Sequence, residues 1–332
     1  MAMMTVPSTD SSAVKKWSKE VLKETFMKAW WARFMGKSME SPVYLKNDFT
    51  KEQGDQVKFD MFPRPAGDPW ITDGDYEGNL QKYGKYQETV DLIERGVGCQ
   101  YRGKLDAQRP AWNTKNINRE ILTGQAGEMI DAYCFDTMQA SAYTKIFRPN
   151  QRATDDALVA GDLIDPDTIT RAATWAKTGG HRSQPPIKPI MVDGKSCYIF
   201  LTYPDVLRDW HRNPEMQQNM REAEVRGAQN PLFRGSEYVL NCGPAKVIVH
   251  THERVHRGTN ASSVAISKSV LLGQQALSFA MCEAPRLVEE TFQFKTQVGL
   301  VYMGIFGAAR TSFNSKDWGC VGISTAYTDT NA

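Results

Sequence analysis

The chain has 332 residues, 41% of them hydrophobic, and 40 Lys plus Arg against 38 Asp plus Glu give a formal charge of +2. Such a length buries a substantial core without disulfide or metal staples. The near balance of charge excludes the bulk positive field of a dedicated duplex-binding protein. The six cysteines (Cys99, Cys134, Cys197, Cys242, Cys282, Cys320) stand singly without a CxxC pair, which reads as reduced and mostly buried thiols. The opening MAMMTVPSTDSSAVKKW has no apolar core of signal-peptide length, and no segment approaches the roughly 18 apolar residues of a membrane span, so a soluble intracellular product with no membrane partner is expected.

In chain order, AVKKWSKEVLKETFMKAWWARFM (13 to 35) follows a candidate cap at Asp10 to Ser12 and predicts a basic amphipathic helix carrying Val14, Trp17, Val21, Thr25 and Ala29 on one face. From about 44 to 110, VKFDMF and QETVDLI read as strands on either side of a segment rich in turn residues, an extended hairpin with little helix. NTKNINREILTGQAGEMIDAYCFDTMQASA (113 to 142) returns to helical periodicity through Ile117, Ile121, Gln125 to Ala126, Met129, Tyr133 and Met138. Gly124 and Gly127 weaken that helix by about 1 kcal/mol each relative to Ala, so packing holds it or a neighbour approaches closely there. Further on, DPDTITRAATWAKT (165 to 178) predicts a short capped helix, KSCYIFLT a strand, and YPDVLRDWHRNPEMQQNMREAEVRG a helix interrupted at Asn213 and Pro214. AKVIVHTH, VLLGQQALSFAM and TFQFKTQVGLVYMGIFGAARTSF complete the chain as strands, making the class α+β.

Three motifs carry candidate chemistry. Asp73, Asp75, Glu77 and Gly78 match the first half of a calcium loop, but Gly84 stands where the bidentate Glu is required and the flanks are not helical, so a hairpin tip is the better reading. The triplets Gly36-Lys37-Ser38 and Gly194-Lys195-Ser196 have Trp31 and Pro189 at the first-glycine position of a phosphate loop, and neither joins a strand to a helix. His250, His252 and His256 in HTHERVH are the nearest thing to a metal cluster, since alternate strand residues share a face, but without a matching carboxylate or Cys constellation structural or surface histidines are the better reading. No GxSxG, HExxH or GxGxxG motif of the right context occurs, so neither a catalytic residue nor a cofactor is assigned. An acidic hairpin and a basic leading helix in one chain suit pairing between copies, and Trp70 with Ile71, apolar at a polar tip, are candidate contacts.

The run YLKNDFTKEQGDQVKFDMFPRPAGDPWITDGDYEGN (44 to 79), then KYQETVDLIERGVGC, resembles the hairpin region of phage major capsid proteins of the Hong Kong 97 type, especially the coliphage N-four type. Lys46 to Asp48, Thr50, Gly54, Asp55, Gly67, Asp68 and Glu77 to Asn79 carry the likeness. Further matches are LTYPDVLRDWHRNPEMQQ, NPLFRGSEYVLNCGPAKVIVHTHERV, LLGQQALSFA and GLVYMGIFGAART, so the resemblance spans about residues 40 to 315. It implies an N-terminal arm (1–43), an extended hairpin or E-loop (44–110), a peripheral domain with a long spine helix (111–160), an axial domain (161–290), and closing strands that return to the peripheral domain (291–332). It also implies self-assembly into hexamers and pentamers of an icosahedral shell, with no chemical step. Portal, scaffolding and decoration proteins are possible partners on this reading, packaged double-stranded DNA is contacted non-specifically, and synthesis takes place in the host bacterial cytoplasm. The intersubunit contacts assigned to the hairpin are Arg64, Asp68, Trp70, Ile71, Asp73, Asp75 and Glu77. Two other readings stand beside it: an encapsulin-like cellular compartment, and a metal-dependent enzyme using His250, His252 and His256.

Overall fold

The computed structural model describes residues 29–47, 55–62, 85–102, 114–182, 185–192, 195–218, 238–242, 245–293 and 297–330. In chain order the strands are β1 (Met35–Gly36), β2 (Val43–Lys46), β3 (Gln56–Met61), β4 (Tyr86–Asp91), β5 (Ile93–Arg102), β6 (Ile146–Phe147), β7 (Ile190–Val192), β8 (Lys195–Thr202), β9 (Tyr238–Cys242), β10 (Ala245–Thr251), β11 (His256–Thr259), β12 (Ala265–Leu272), β13 (Leu277–Phe292), β14 (Gln297–Arg310), β15 (Ser312–Phe313), β16 (Lys316–Asp317) and β17 (Cys320–Ala326). The helices are α1 (Thr114–Gln139), α2 (Pro166–Arg182) and α3 (Pro204–Arg212).

Two sheets organise these elements, a five-stranded one ordered β1-β2-β13-β14-β5 and an eight-stranded one built on the path β6-β17-β12-β8-β10-β9. The second is covered on both faces, which explains why KSCYIFLT reads as a continuous apolar run where a half-exposed strand would alternate. Tyr198 and Phe200 of β8, with Leu271 and Val321, pack against Ile169, Ala172 and Ala176 of α2 and Val206 and Trp210 of α3. Their neighbours Ile199, Leu201, Val270 and Leu272 point the other way, into a cluster with Cys134, Phe135 and Met138 of α1. The single-residue alternation of a pleated strand thus serves two cores at once. Asp165 caps α2 by accepting the Thr168 N–H at 2.9 Å, and Pro166 occupies the first turn.

Helix α1 lies along the five-stranded sheet and runs on the order of 39 Å. Its buried row is Leu122, Ala126, Ile130, Cys134 and Met138, with Phe135 beside it. Ala126 and Met138 are buried as the periodicity favours, whereas Leu122, Ile130 and Cys134 stand one position after the expected Ile121, Met129 and Tyr133, and Ile117 and Ile121 are exposed at 37% and 52%. Gly124 has nothing within 4 Å of where a Cβ would stand, so of the two alternatives it is packing along the helix and not a close neighbour at this glycine that the described residues supply. The Tyr133 hydroxyl ties the helix to β14 by accepting the Ala308 N–H at 3.0 Å.

Four other expectations are revised. Residues Trp30–Phe34 form a single 3-10 turn leading into β1, where an α-helix to residue 35 is expected; the remainder of that helix lies outside the described residues. QETVDLI is not one strand: it breaks at Leu92, β4 pairing with β3 while β5 joins β14. VLLGQQALSFAM divides in the same way at 273–276, placing β12 in the eight-stranded sheet and β13 in the five-stranded one, inside the span expected to be axial. The closing chain does not all return to α1, because β17 inserts between β6 and β12 of the eight-stranded sheet.

The chain passes between the sheets beside Arg310. Its guanidinium lies 2.9 Å from the Asp317 carboxylate, both side chains being nearly buried at 12% and 5% exposure. It also donates to the carbonyl of Met138 in the last turn of α1 and to those of Ser141 and Ala142 in the segment that follows. Asp317 in turn accepts the Thr144 N–H at 2.6 Å, and the Thr144 hydroxyl accepts the Asp317 N–H at 2.9 Å. The β15–β16 turn that presents Asp317 has positive φ at Asn314 and Ser315, 48° and 59°, the signature of a two-residue hairpin loop. No disulfide joins the described cysteines, and burial pushes the thiols of Cys134 and Cys320 well above their ordinary pKa. Replacing Arg310 by Ala strands a buried carboxylate and the carbonyls of Met138, Ser141 and Ala142, so we expect a loss of about 3–5 kcal/mol in chemical denaturation, with little recovery in Arg310→Lys because an ammonium cannot span the fork.

Candidate functional site

The three histidines singled out by sequence do not converge. His250 is the last residue but one of β10 and His252 follows the strand, both turned toward the segment at 29–36, whereas His256 is exposed on β11 opposite Lys268. Among the described residues no group of three or more His, Cys, Asp or Glu side chains could hold a metal ion. The first two rings serve as packing surfaces. His252 stacks on Phe135 with centroids 4.4 Å apart, Trp30 meets His252 at 5.1 Å, and Phe34 meets His250 edge-on at 5.2 Å. The metal-enzyme reading gives way to this arrangement, in which both imidazoles form the seat of an aromatic plug.

One carboxylate fixes that plug. Asp131 of α1 accepts the backbone N–H of Trp30 at 2.7 Å and of Trp31 at 2.9 Å, satisfying the exposed donors at the start of the 3-10 turn. Burial raises the Asp131 carboxyl above its ordinary pKa while the two N–H donors pull it down. Burial lowers the His252 imidazole, against the upward pull of Asp131 and Glu253. Sequence reading placed Trp30 and Trp31 on a helix and so missed this seat; the aromatic density of WWARF was the available signal.

The second feature is the root of the hairpin. β3 and β4 pair from Gln56 with Asp91 to Met61 with Tyr86, closed by the Leu92 N–H donating to the Asp55 carbonyl at 2.8 Å. Val57, Phe59 and Val90 pack on Ala280 of β13. Lys46 spans the junction, donating to the Lys58 carbonyl at 2.8 Å with its ammonium 4.6 Å from the Phe59 ring centroid; burial lowers its pKa. On the other strand Glu88 accepts from the backbone and hydroxyl of Ser312, at 3.2 and 2.7 Å, and Tyr86 meets Phe313 edge-on at 4.4 Å. At the bend into β5 a Cβ on Gly307 would collide with the Asp91 carbonyl oxygen, so glycine is required for the ribbon to lie this close.

The candidate contacts Arg64, Asp68, Trp70, Ile71, Asp73, Asp75 and Glu77 lie outside the described residues, which end at Phe62 on one arm and resume at Lys85 on the other. Phe62 is 57% exposed, and near it a cleft of about 410 Å³ is lined by Met39, Glu40, Asp60, Lys188, Gln274 and Trp318 among others.

A model of the family described as phage capsid protein matches residues 5–328. The major capsid protein of Pseudomonas phage KPP25 is 21% identical over a region covering 93% of this chain and 94% of the relative. The capsid of Ralstonia phage GP4 superposes with a TM-score of 0.78 at 20% identity, covering 100% of both chains. The capsid of Cyanophage Pam1 does so with a TM-score of 0.75 at 19% identity, over 98% of this chain and 99% of that one.

Because the His252 pKa is lowered on folding, the folded state loses stability as the pH drops through the unfolded value of about 6.5, while the raised Asp131 acts in the opposite direction only in the more acid carboxylate range. His211, also lowered by burial, adds to the loss. The thermal midpoint is therefore expected to fall from about pH 7.5 to about pH 5.5, and to fall less in His252→Phe, which keeps a ring on Phe135 without a titrating proton.

Proposed function

The chain belongs to the phage capsid protein family and has the Hong Kong 97-type fold of its structural neighbours, and from that premise we propose that it is the major capsid protein of a tailed DNA phage. The observation that carries this reading is the match along nearly the whole chain, residues 5–328, to a family of shell subunits. The architecture supports it physically: a two-sheet body whose cores are closed on both sides of β8 carries a two-stranded ribbon clamped at its root by Lys46, Glu88 and Gly307. A firmly rooted projection converts few residues into contact area on a neighbour, and many modest contacts multiplied by valency hold a closed shell.

On this reading the protein works without a chemical step. The eight-stranded sheet with α2 and α3 is the axial domain, the five-stranded sheet with α1 is the peripheral domain, and the ribbon with its outer loop is the E-loop, placing Arg64, Asp68, Trp70, Ile71, Asp73, Asp75 and Glu77 against the next subunit. Copies form hexamers and pentamers, are synthesised in the host bacterial cytoplasm, meet portal, scaffolding or decoration proteins, and enclose double-stranded DNA that a nearly neutral wall contacts without specificity. The motifs at 46–55 and 77–79 support a place beside the coliphage N-four type.

Negative-stain microscopy of the purified chain is expected to show shells or capsomer rings; single chains at high concentration would reject the reading. Removing residues 62 to 80 should leave the circular dichroism spectrum and thermal unfolding of the subunit unchanged while impairing assembly. Normal shells from that deletion would reject the role given to the hairpin.

A further inference from the structure

The five-stranded sheet ends very differently on its two sides. One edge is β1, only two residues long, whereas the other is β5, with ten residues. At about 3.3 Å per residue β5 presents roughly 33 Å of backbone. Its inner edge pairs with β14 in an unbroken one-to-one register from Ile93 with Phe306 to Arg102 with Gln297. Its outer edge has no partner among the described residues.

Monomeric proteins guard such an edge with proline, lysine, a bulge or brevity, because the unpaired N–H and C=O groups template another strand. Between Ile93 and Arg102 there is no Pro, no Lys and no register shift, and the charges present are Glu94, Arg95, which turns inward onto Tyr133, and Arg102 at the strand end. β13 of the same sheet, an interior strand, does carry shifts, between Met281 and Glu283 and between Glu283 and Arg286. One face of β5 lies on α1, where the Arg95 guanidinium stands 3.8 Å from the Tyr133 ring centroid. On the opposite face Glu94, Gly96, Gly98 and Gln100 are exposed, and the two glycines leave no side chain to hold another backbone away.

We propose that the outer edge of β5 is a strand-addition site for an extended segment of a second copy of this chain, so that the sheet continues from one subunit into the next. This rests on the capsid reading, which supplies the abundant neighbouring copies. Continuity with the hairpin argues for the same occupant: a single residue, Leu92, separates β4 from β5, so a copy engaged by the ribbon is already aligned beside this edge. Main-chain pairing along ten residues would add orientation to a contact that side chains on a ribbon define less sharply.

Amide hydrogen exchange resolved along residues 93–102 tests this, comparing the unassembled subunit with shells formed from the purified chain alone, where any new partner must be another copy. In the isolated subunit alternate amides should exchange fast and the β14-bonded ones slowly; in shells the fast set should slow by at least about tenfold. Shells in which those amides exchange as they do in the free subunit would overturn the inference and leave the capsid reading intact. Slow exchange at all ten amides of the isolated subunit would overturn it too, since the chain's own residues would then cover the edge. Failure to form shells at all would instead count against the capsid reading.

Discussion

Everything in the fold converges on the place where the chain changes sheets. Three connections cross there: the end of α1 into β6, β12 into β13, and β14 through the small ribbon into β17. Arg310 and Asp317 join the first to the third through the helix-end carbonyls and Thr144. The second is tied in by the Gly273 N–H donating to the Gly319 carbonyl at 2.8 Å and the Thr311 N–H to the Ala276 carbonyl at 3.2 Å. A Cβ at Gly319 would stand 2.5 Å from the Gln274 oxygen, so the crossings are packed to the limit that backbone permits. A buried ion pair adds little net stability over an apolar substitute. Its value here is positional, since it fixes how the two sheets meet.

From that junction the rest follows by packing. β8 supplies side chains to both cores, α1 closes one of them, and the leading segment plugs the gap that remains between α1 and β10, with Trp31 fully buried at 0% exposure. The hairpin root is then built on β13 and β14, so its direction is inherited from the sheet that α1 supports.

Much of this was legible in the residues. α1 announced itself by helical period and α2 by its cap, and the stop at Asn213 and Pro214 is real: α3 ends at Arg212 and residues 214–218 resume as a separate helical turn. The capsid family was legible through ordered motifs, the α+β class through the alternation of helical and strand-like texture. What the residues concealed were sheet memberships. Gln274 and Gln275, with Gln275 at a φ of 52°, look like an interior pair in a long strand but are the corner between two sheets. Leu92 is apolar and continues the pattern of its neighbours although the chain bends there. Such corners are set by distant partners, Asp91 against Gly307 and Gly273 against Gly319, and local periodicity carries no trace of them. The seat for Trp30 was hidden for the same reason, because its anchor Asp131 is 101 residues away.

The aromatic plug also gives the protein an internal optical gauge. Trp30 and Trp31 emit from a pocket shared with two imidazoles, Phe34 and Phe135. Moving the leading segment out of that pocket transfers the fully buried Trp31 and the partly buried Trp30 into water and away from a ring that quenches when protonated. In a chain whose other six tryptophans are replaced by Phe, their emission colour and intensity record whether the Trp30–Phe34 turn is seated while larger particles grow around it.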